Sequence, residues 1–104
     1  MAEGLSVAFQ PIVDVRGGAV WAYEALGRST IGGPSSLLAR AHAAGCLLAL
    51  DRRWRSLAIE AFPDVEAPTR CALNVDARVA DDPRFAPGFT RGRIDLAGLS
   101  PERF

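Results

Sequence analysis

Val20-Trp21-Ala22-Tyr23-Glu24-Ala25-Leu26-Gly27-Arg28 is the stretch whose reading decides the fold. It has the apolar, aromatic content of a strand and ends in charges. Side chains alternate along a strand, so Val20, Ala22, Glu24, Leu26 and Arg28 share one side, and Trp21, Tyr23 and Ala25 the other. A carboxylate and a guanidinium therefore stand on one face, two steps either side of Leu26. From spacing alone the plain reading is a solvated ion pair.

Upstream, Leu5 to Val13 is also strand-like, with Pro11 confining it to an edge or a strand end because proline has no N–H to donate. Gly17-Gly18 supplies a turn. An antiparallel hairpin of Ser6–Val13 with Ala19–Gly27 follows. Ala8, Gln10 and Ile12 share a face, and register decides whether Gln10 meets Glu24.

Downstream, the breakers Thr30 to Pro34 precede a helix that opens at Pro34-Ser35-Ser36. Leu37, Leu38, Ala41, Ala44 and Cys46 recur at near-helical spacing, with Gly45 at the stop. A second helix is expected from Leu47 to Phe62, with an apolar stripe of Leu50, Trp54, Leu57, Ala58, Ala61 and Phe62. Asp51 with Arg55 is expected on its solvated side. Pro63 ends the helix, Asp64 to Thr69 reads as a loop, and Arg70 to Val75 as a short strand. Helix followed by strand implies a mainly parallel sheet. Beyond Asp76, prolines and glycines recur every few residues. Only short helical turns are expected there, and Arg91 to Leu96 reads equally as helix or strand.

These words, in their order, carry a resemblance. Phe9-Gln10-Pro11-Ile12-Val13-Asp14 and Tyr23-Glu24-Ala25-Leu26-Gly27-Arg28 resemble the opening of an EAL domain, the bacterial cyclic di-GMP phosphodiesterase family. Leu37 to Ala41 through Leu50-Asp51-Arg52-Arg53-Trp54 resembles the family's first helix and the leucine-aspartate-arginine start of its second. Leu73-Asn74-Val75 resembles its asparagine strand. Asp82-Pro83-Arg84-Phe85 and Leu99 to Phe104 resemble the segment leading to its next strand. The resemblance runs from about Val7 to Phe104.

The family's domains are β/α barrels whose first strand runs against the others. The fold expected from the resemblance is therefore α/β: the N-terminal part of a TIM-barrel-like EAL domain, with an antiparallel hairpin, then helices and a parallel strand. Residues 1–104 would form one truncated EAL-like domain, since a complete barrel needs roughly 250 residues.

The resemblance also implies chemistry. The family cuts one phosphodiester bond of cyclic di-GMP with divalent metal, Mg²⁺ or Mn²⁺. Hard cations held by carboxylate and amide oxygens suit an anionic phosphate and a water that must lose a proton. Glu24 and Asn74 match its metal ligands. Arg28 matches the arginine on the ligand phosphate, which a guanidinium fork fits, and Gln10 and Leu26 match ligand-pocket positions. Two departures stand out: Asp76 where the family commonly has serine, and Gly27 where a larger apolar residue precedes the arginine. The family's later glutamate, paired aspartates and lysine have no counterpart in this sequence. The expectation is a chain without turnover, binding cyclic di-GMP weakly or not at all. The alternative is a non-catalytic interaction or regulatory module derived from the same scaffold.

Composition narrows the partners. Of 104 residues, 49% are hydrophobic and 23% charged, a globular balance with room for one modest core. All 12 basic residues are arginine and the formal net charge is zero, which argues against nucleic acid as a partner. Met1-Ala2-Glu3-Gly4 has no basic start or long apolar run, and Cys46 to Leu50 falls far short of the roughly 20 residues of a membrane span. A cytoplasmic protein without membrane insertion is expected. Cys46 and Cys71 have no neighbours at ligand spacing and read as small buried apolar residues, and His42 as a surface or packing residue. Strands without covering neighbours leave Val20, Ala22, Leu73 and Val75 open and an edge unpaired. That predicts a homo-oligomer, with Thr30 to Pro34 as the hinge if the hairpin is exchanged.

Overall fold

The computed structural model describes residues 4–62 and 69–104. The hairpin pairs β1 (Leu5–Val13) with β2 (Val20–Ser29) antiparallel. At its turn the Asp14 carboxylate accepts from Arg16 N at 2.9 Å, and Gly18 N donates to Asp14 O at 2.8 Å with Gly18 at φ +72°. A left-handed residue here needs glycine. The register sets Gln10 opposite Glu24, Ala8 opposite Leu26 and Ser6 opposite Arg28, so these side chains share one side of the sheet.

Helix α1 (Pro34–Ala43) ends as the sequence indicates. Cys46 N donates to Ala41 O at 2.9 Å and Gly45 N to His42 O at 3.1 Å, with Gly45 at φ +74°. This paired closure satisfies carbonyls that the helix end would otherwise strand. His42 is exposed in its last turn.

Helix α2 (Leu47–Ala61) supplies most of the core. Leu50 and Phe62 are fully buried, Ile59 and Ala58 nearly so, and Trp54 is 9% exposed. Each large apolar side chain buried this way contributes about 1.5–3 kcal/mol before entropy is counted. Two clusters result. Leu50 and Trp54 pack with Leu37, Leu47 and Val79 and against Leu5 and Val7. Phe62 packs with Ala25 and Cys71 and against Phe9 and Phe104, with ring centroids 5.9 Å from Phe9 and 5.4 Å from Phe104. Cys71 is buried and Cys46 half-buried; both are free thiols. The buried Cys71 thiol is pushed up to about 11 by desolvation.

The strand after α2, β3 (Arg70–Leu73), pairs parallel to β2, with Glu24 beside Ala72 and Ala25 beside Leu73. It is shorter than the expected Arg70 to Val75, because pairing stops at Leu73 and Asn74 turns its side chain back to β2. Val75 is 69% exposed. Of the expected Asp64 to Thr69 loop, all but Thr69 lies outside the described residues, as does Pro63. Two further helices follow, α3 (Ala77–Ala80) and α4 (Phe89–Leu96), then a 3₁₀ turn at Pro101–Arg103. Arg91 to Leu96 is thus helical. Arg93 of α4 pairs with Glu60 of α2 at 3.3 Å.

The partial barrel expected from the resemblance is corrected by this topology. The described residues form an open three-stranded mixed sheet in the order β1-β2-β3, with four helices. A barrel exists only when the sheet's two edges meet, which takes about eight strands at a fixed tilt. Here β1 and β3 are both outer strands. The helix-facing residues Val7, Phe9, Ala25, Cys71 and Leu73 belong to the core clusters. On the other side Gln10 and Arg28 are exposed and Glu24 is half-buried. The expectation that Ala22 and Leu73 lie open is corrected, since Ala22 is 2% exposed and Leu73 packs against the core, while Val20 and Val75 are exposed.

One close approach fixes how α2 sits on the sheet. A Cβ on Gly27 would lie 2.6 Å from Trp54 Cδ2 and Cε2, so the indole rests where a side chain would be. Gly27→Ala should lower the unfolding free energy by about 1–3 kcal/mol through overpacking. Gly92 inside α4 has open space around it, and Gly92→Ala should raise stability by about 0.5–1 kcal/mol. Urea unfolding of the two variants checks the contrast; equal effects would mean the Trp54 contact is not limiting.

Candidate functional site

Glu24 and Asn74, 50 residues apart in sequence, meet at the same end of the sheet: Asn74 Nδ2 donates to Glu24 Oε2 at 2.9 Å and to Ala25 O at 3.4 Å. Asn74 reaches this position because β3 runs parallel to β2 and stops one residue earlier. Glu24 is half-buried and Asn74 exposed. Gln10 lies across from Glu24 on β1 and is exposed. Four residues after Glu24 on the same side is Arg28, whose Nη1 donates to Gly27 O at 3.0 Å and which is otherwise exposed.

A cavity of about 330 Å³ opens beside this group, between the ends of β2 and β3 and helices α1 and α2. Val7, Leu26, Leu38, Trp54, Ala58 and Leu73 give it apolar walls, and Arg28, Asp51, Arg55, Asn74 and Asp76 the polar ones. It is at the small end of ligand-sized pockets. Leu26, Arg28 and Asn74 of the sequence-derived set line it; Gln10 and Glu24 do not.

Helix α2 contributes residues that sequence reasoning left out. Trp54 Nε1 donates to Arg28 O at 3.1 Å. Arg55 grips Asp51 with two nitrogens, at 3.2 and 3.3 Å, and donates to Asn74 O at 3.0 Å. The expectation that Asp51 and Arg55 face solvent is corrected: their side chains are only 15% and 11% exposed. Their four-residue spacing reads the same for a surface pair and an inward one. The signal that could have separated them is the neighbouring Trp54, which turns the adjacent helical positions toward the strand ends.

Asp76 has a local role. It caps α3, accepting from Arg78 N at 2.9 Å, and its carboxylate is also held by the Arg78 guanidinium at 2.8 and 3.1 Å. The Arg78 side chain and then its N–H hold Asp76 down, from an ordinary 3.8 to about 2. Asp82 repeats the pattern with Arg84 and is likewise held at about 2, while Arg84 Nη2 also donates to Gly45 O at 2.8 Å behind α1.

Glu24 and Asn74 offer one carboxylate and one amide, and the amide turns its nitrogen, not its oxygen, toward the carboxylate. No group of three or more His, Cys, Asp or Glu that could hold a metal occurs among the described residues. This donor set does not by itself fit a hard divalent cation, which takes about six oxygens. Nor is any described helix long and apolar enough to cross a membrane.

No protein-family model matches the sequence, and no curated protein matches it. Among solved structures the chain is similar to Klebsiella pneumoniae BlrP1, determined with FMN and cyclic diGMP and without metal ions. The TM-score is 0.79 at 26% identity, over 97% of this chain and 27% of that one. The chain thus spans about a quarter of BlrP1's length, and the likeness is one of fold with a stretch of that protein.

The two arginine-held aspartates set an acid limit. A carboxylate whose folded value is depressed contributes stability that is complete above its ordinary value and is lost as pH falls through the folded one. Stability of the chain should therefore decline between about pH 4 and pH 2. The double variant Asp76→Asn, Asp82→Asn should show a shallower decline when unfolding is followed across that range. An identical slope in the variant would remove these two pairs from the account.

Proposed function

We propose that the chain carries part of an EAL-type cyclic di-GMP site and works in bacterial second-messenger signalling. The meeting of Glu24 and Asn74 at 2.9 Å carries the reading. Both residues stand in stretches that resemble the family's metal-ligand words, and Arg28 follows Glu24 on the same side of β2. Independent support comes from the likeness to BlrP1, a protein whose structure contains cyclic diGMP.

In this reading Arg28 meets a phosphate of the ligand, Gln10 and Leu26 border it, and Glu24 with Asn74 forms the oxygen-bearing end. A free guanidinium at the rim of a partly apolar cavity is suited to a phosphodiester, which it can engage with two parallel hydrogen bonds. One carboxylate and one amide do not by themselves fit Mg²⁺ or Mn²⁺, so in this reading the chain binds its ligand without cleaving it. A second reading, a non-catalytic interaction or regulatory module derived from the same family, is favoured by that sparse donor set.

Calorimetric titration with cyclic di-GMP, with and without Mg²⁺ or Mn²⁺, tests the proposal. Weak binding and no conversion are expected. Without metal, Arg28→Ala should weaken binding about ten-fold, as expected for loss of a charge-assisted hydrogen bond, and more than Glu24→Ala does. Steady production of the linear dinucleotide would overturn the non-hydrolytic part, equal losses in the two variants would reverse the assigned roles, and no binding in any condition would leave the interaction-module reading.

A further inference from the structure

We infer that the Asp51–Arg55 pair is a positioning device that holds Asn74 in place to meet Glu24. The inference rests on the reading of Glu24 and Asn74 as part of a ligand site, and the geometry is as follows. Asn74 is the first residue past the end of β3, so its carbonyl has no ladder partner on β2. Arg55 Nη2 donates to that carbonyl at 3.0 Å. From the same residue the side-chain amide runs the other way, to Glu24 Oε2 and Ala25 O. Asn74 is held through its main chain by α2 and through its side chain by β2.

An exposed ion pair four residues apart on a helix has little effect. This one is different in two respects. Both side chains are mostly buried, and a buried guanidinium needs a partner for its charge. Asp51 meets that need with both oxygens, fixing the plane of the fork so that the second hydrogen of Nη2 has one direction left to point. That direction is the Asn74 carbonyl. A lysine at position 55 has a single rotatable point charge and cannot keep both contacts in one plane.

The preceding residue does the same for the other strand. Trp54 Nε1 donates to Arg28 O at 3.1 Å, so consecutive residues of α2 each tie down main chain at this end of the sheet, one on β2 and one beyond β3. Through them the helix sets the distance between Arg28 and Asn74, the two groups that border the cavity from opposite strands.

The variants Arg55→Lys and Asp51→Asn, with exposed Arg53→Ala as control, test the inference by two readouts. Nuclear magnetic resonance of the Asn74 side-chain amide should show its slow exchange and distinct shift in the native chain and in Arg53→Ala, and show both lost in Arg55→Lys and Asp51→Asn. Cyclic di-GMP affinity should fall about ten-fold in the same two variants, measured at a temperature at which each is folded. If the native chain binds no cyclic di-GMP, the proposed function fails alone, and the Asn74 amide still decides the positioning role. An Asn74 amide unchanged in both variants would overturn the inference. Should Arg55→Lys fail to fold, Asp51→Asn, which keeps the side chain's size but turns one of its two acceptor oxygens into a donor, gives the same two readings.

Discussion

The indole of Trp54 lying on Gly27 is the contact on which the rest of the structure depends. A helix normally rests on a strand about 10 Å away, separated by side chains from both. Removing the side chain at Gly27 lets the largest residue of α2 take up that space, and this one seat fixes the rotation of the helix about its own axis. With Trp54 on the strand, Leu50, Ala58 and Phe62, spaced in fours, must also face the sheet. Arg55, one residue on, is carried to the end of β3. The core and the rim of the cavity are therefore set by the same contact.

Much of this could be read from the sequence, and the limits have physical causes. The hairpin, the two main helices and the stop at Gly45 follow from local chemistry: alternation, a glycine turn, an apolar stripe, a residue free to adopt positive φ. What failed depended on packing across the chain. The extent of β3 is decided by where β2 stops offering partners, not by the β-propensity of Asn74 and Val75. The helical state of Arg91 to Leu96, with Gly92 near its start, goes with Ile94 being buried at 3% exposure, a tertiary contact that local sequence does not encode. The inward turn of Asp51 and Arg55 is decided by Trp54. The expected barrel failed for a different reason, since family likeness describes a closed architecture while three strands leave two edges apart.

The candidate site shows the same division. Glu24 and Arg28 are related by strand periodicity alone, and their shared side follows from sequence. The approach of Asn74 needs a parallel crossover through α2, which fixes both the strand order and the end at which β3 terminates. Register, which the sequence leaves open, brings Gln10 opposite Glu24. Of the residues named in advance, those on one strand could be related to each other from the sequence, and those on different strands could not.

Gly27 and Asp76, the two positions at which the sequence differs from the pattern it resembles, are each matched by a neighbour. At Gly27 the space a side chain would take is filled by the Trp54 indole, whose Nε1 donates to Arg28 O, so the strand end is both packed and hydrogen-bonded. Asp76 sits immediately beyond Val75, where it could add a second carboxylate beside Asn74, yet Arg78 takes both of its oxygens and α3 takes its capping bond. A carboxylate held that way is poorly placed to bind a cation, because binding would have to displace two charge-assisted bonds as well as shed water. Asp76 therefore adds a charge near the cavity without adding a metal ligand, and the arginine two residues later is what decides it.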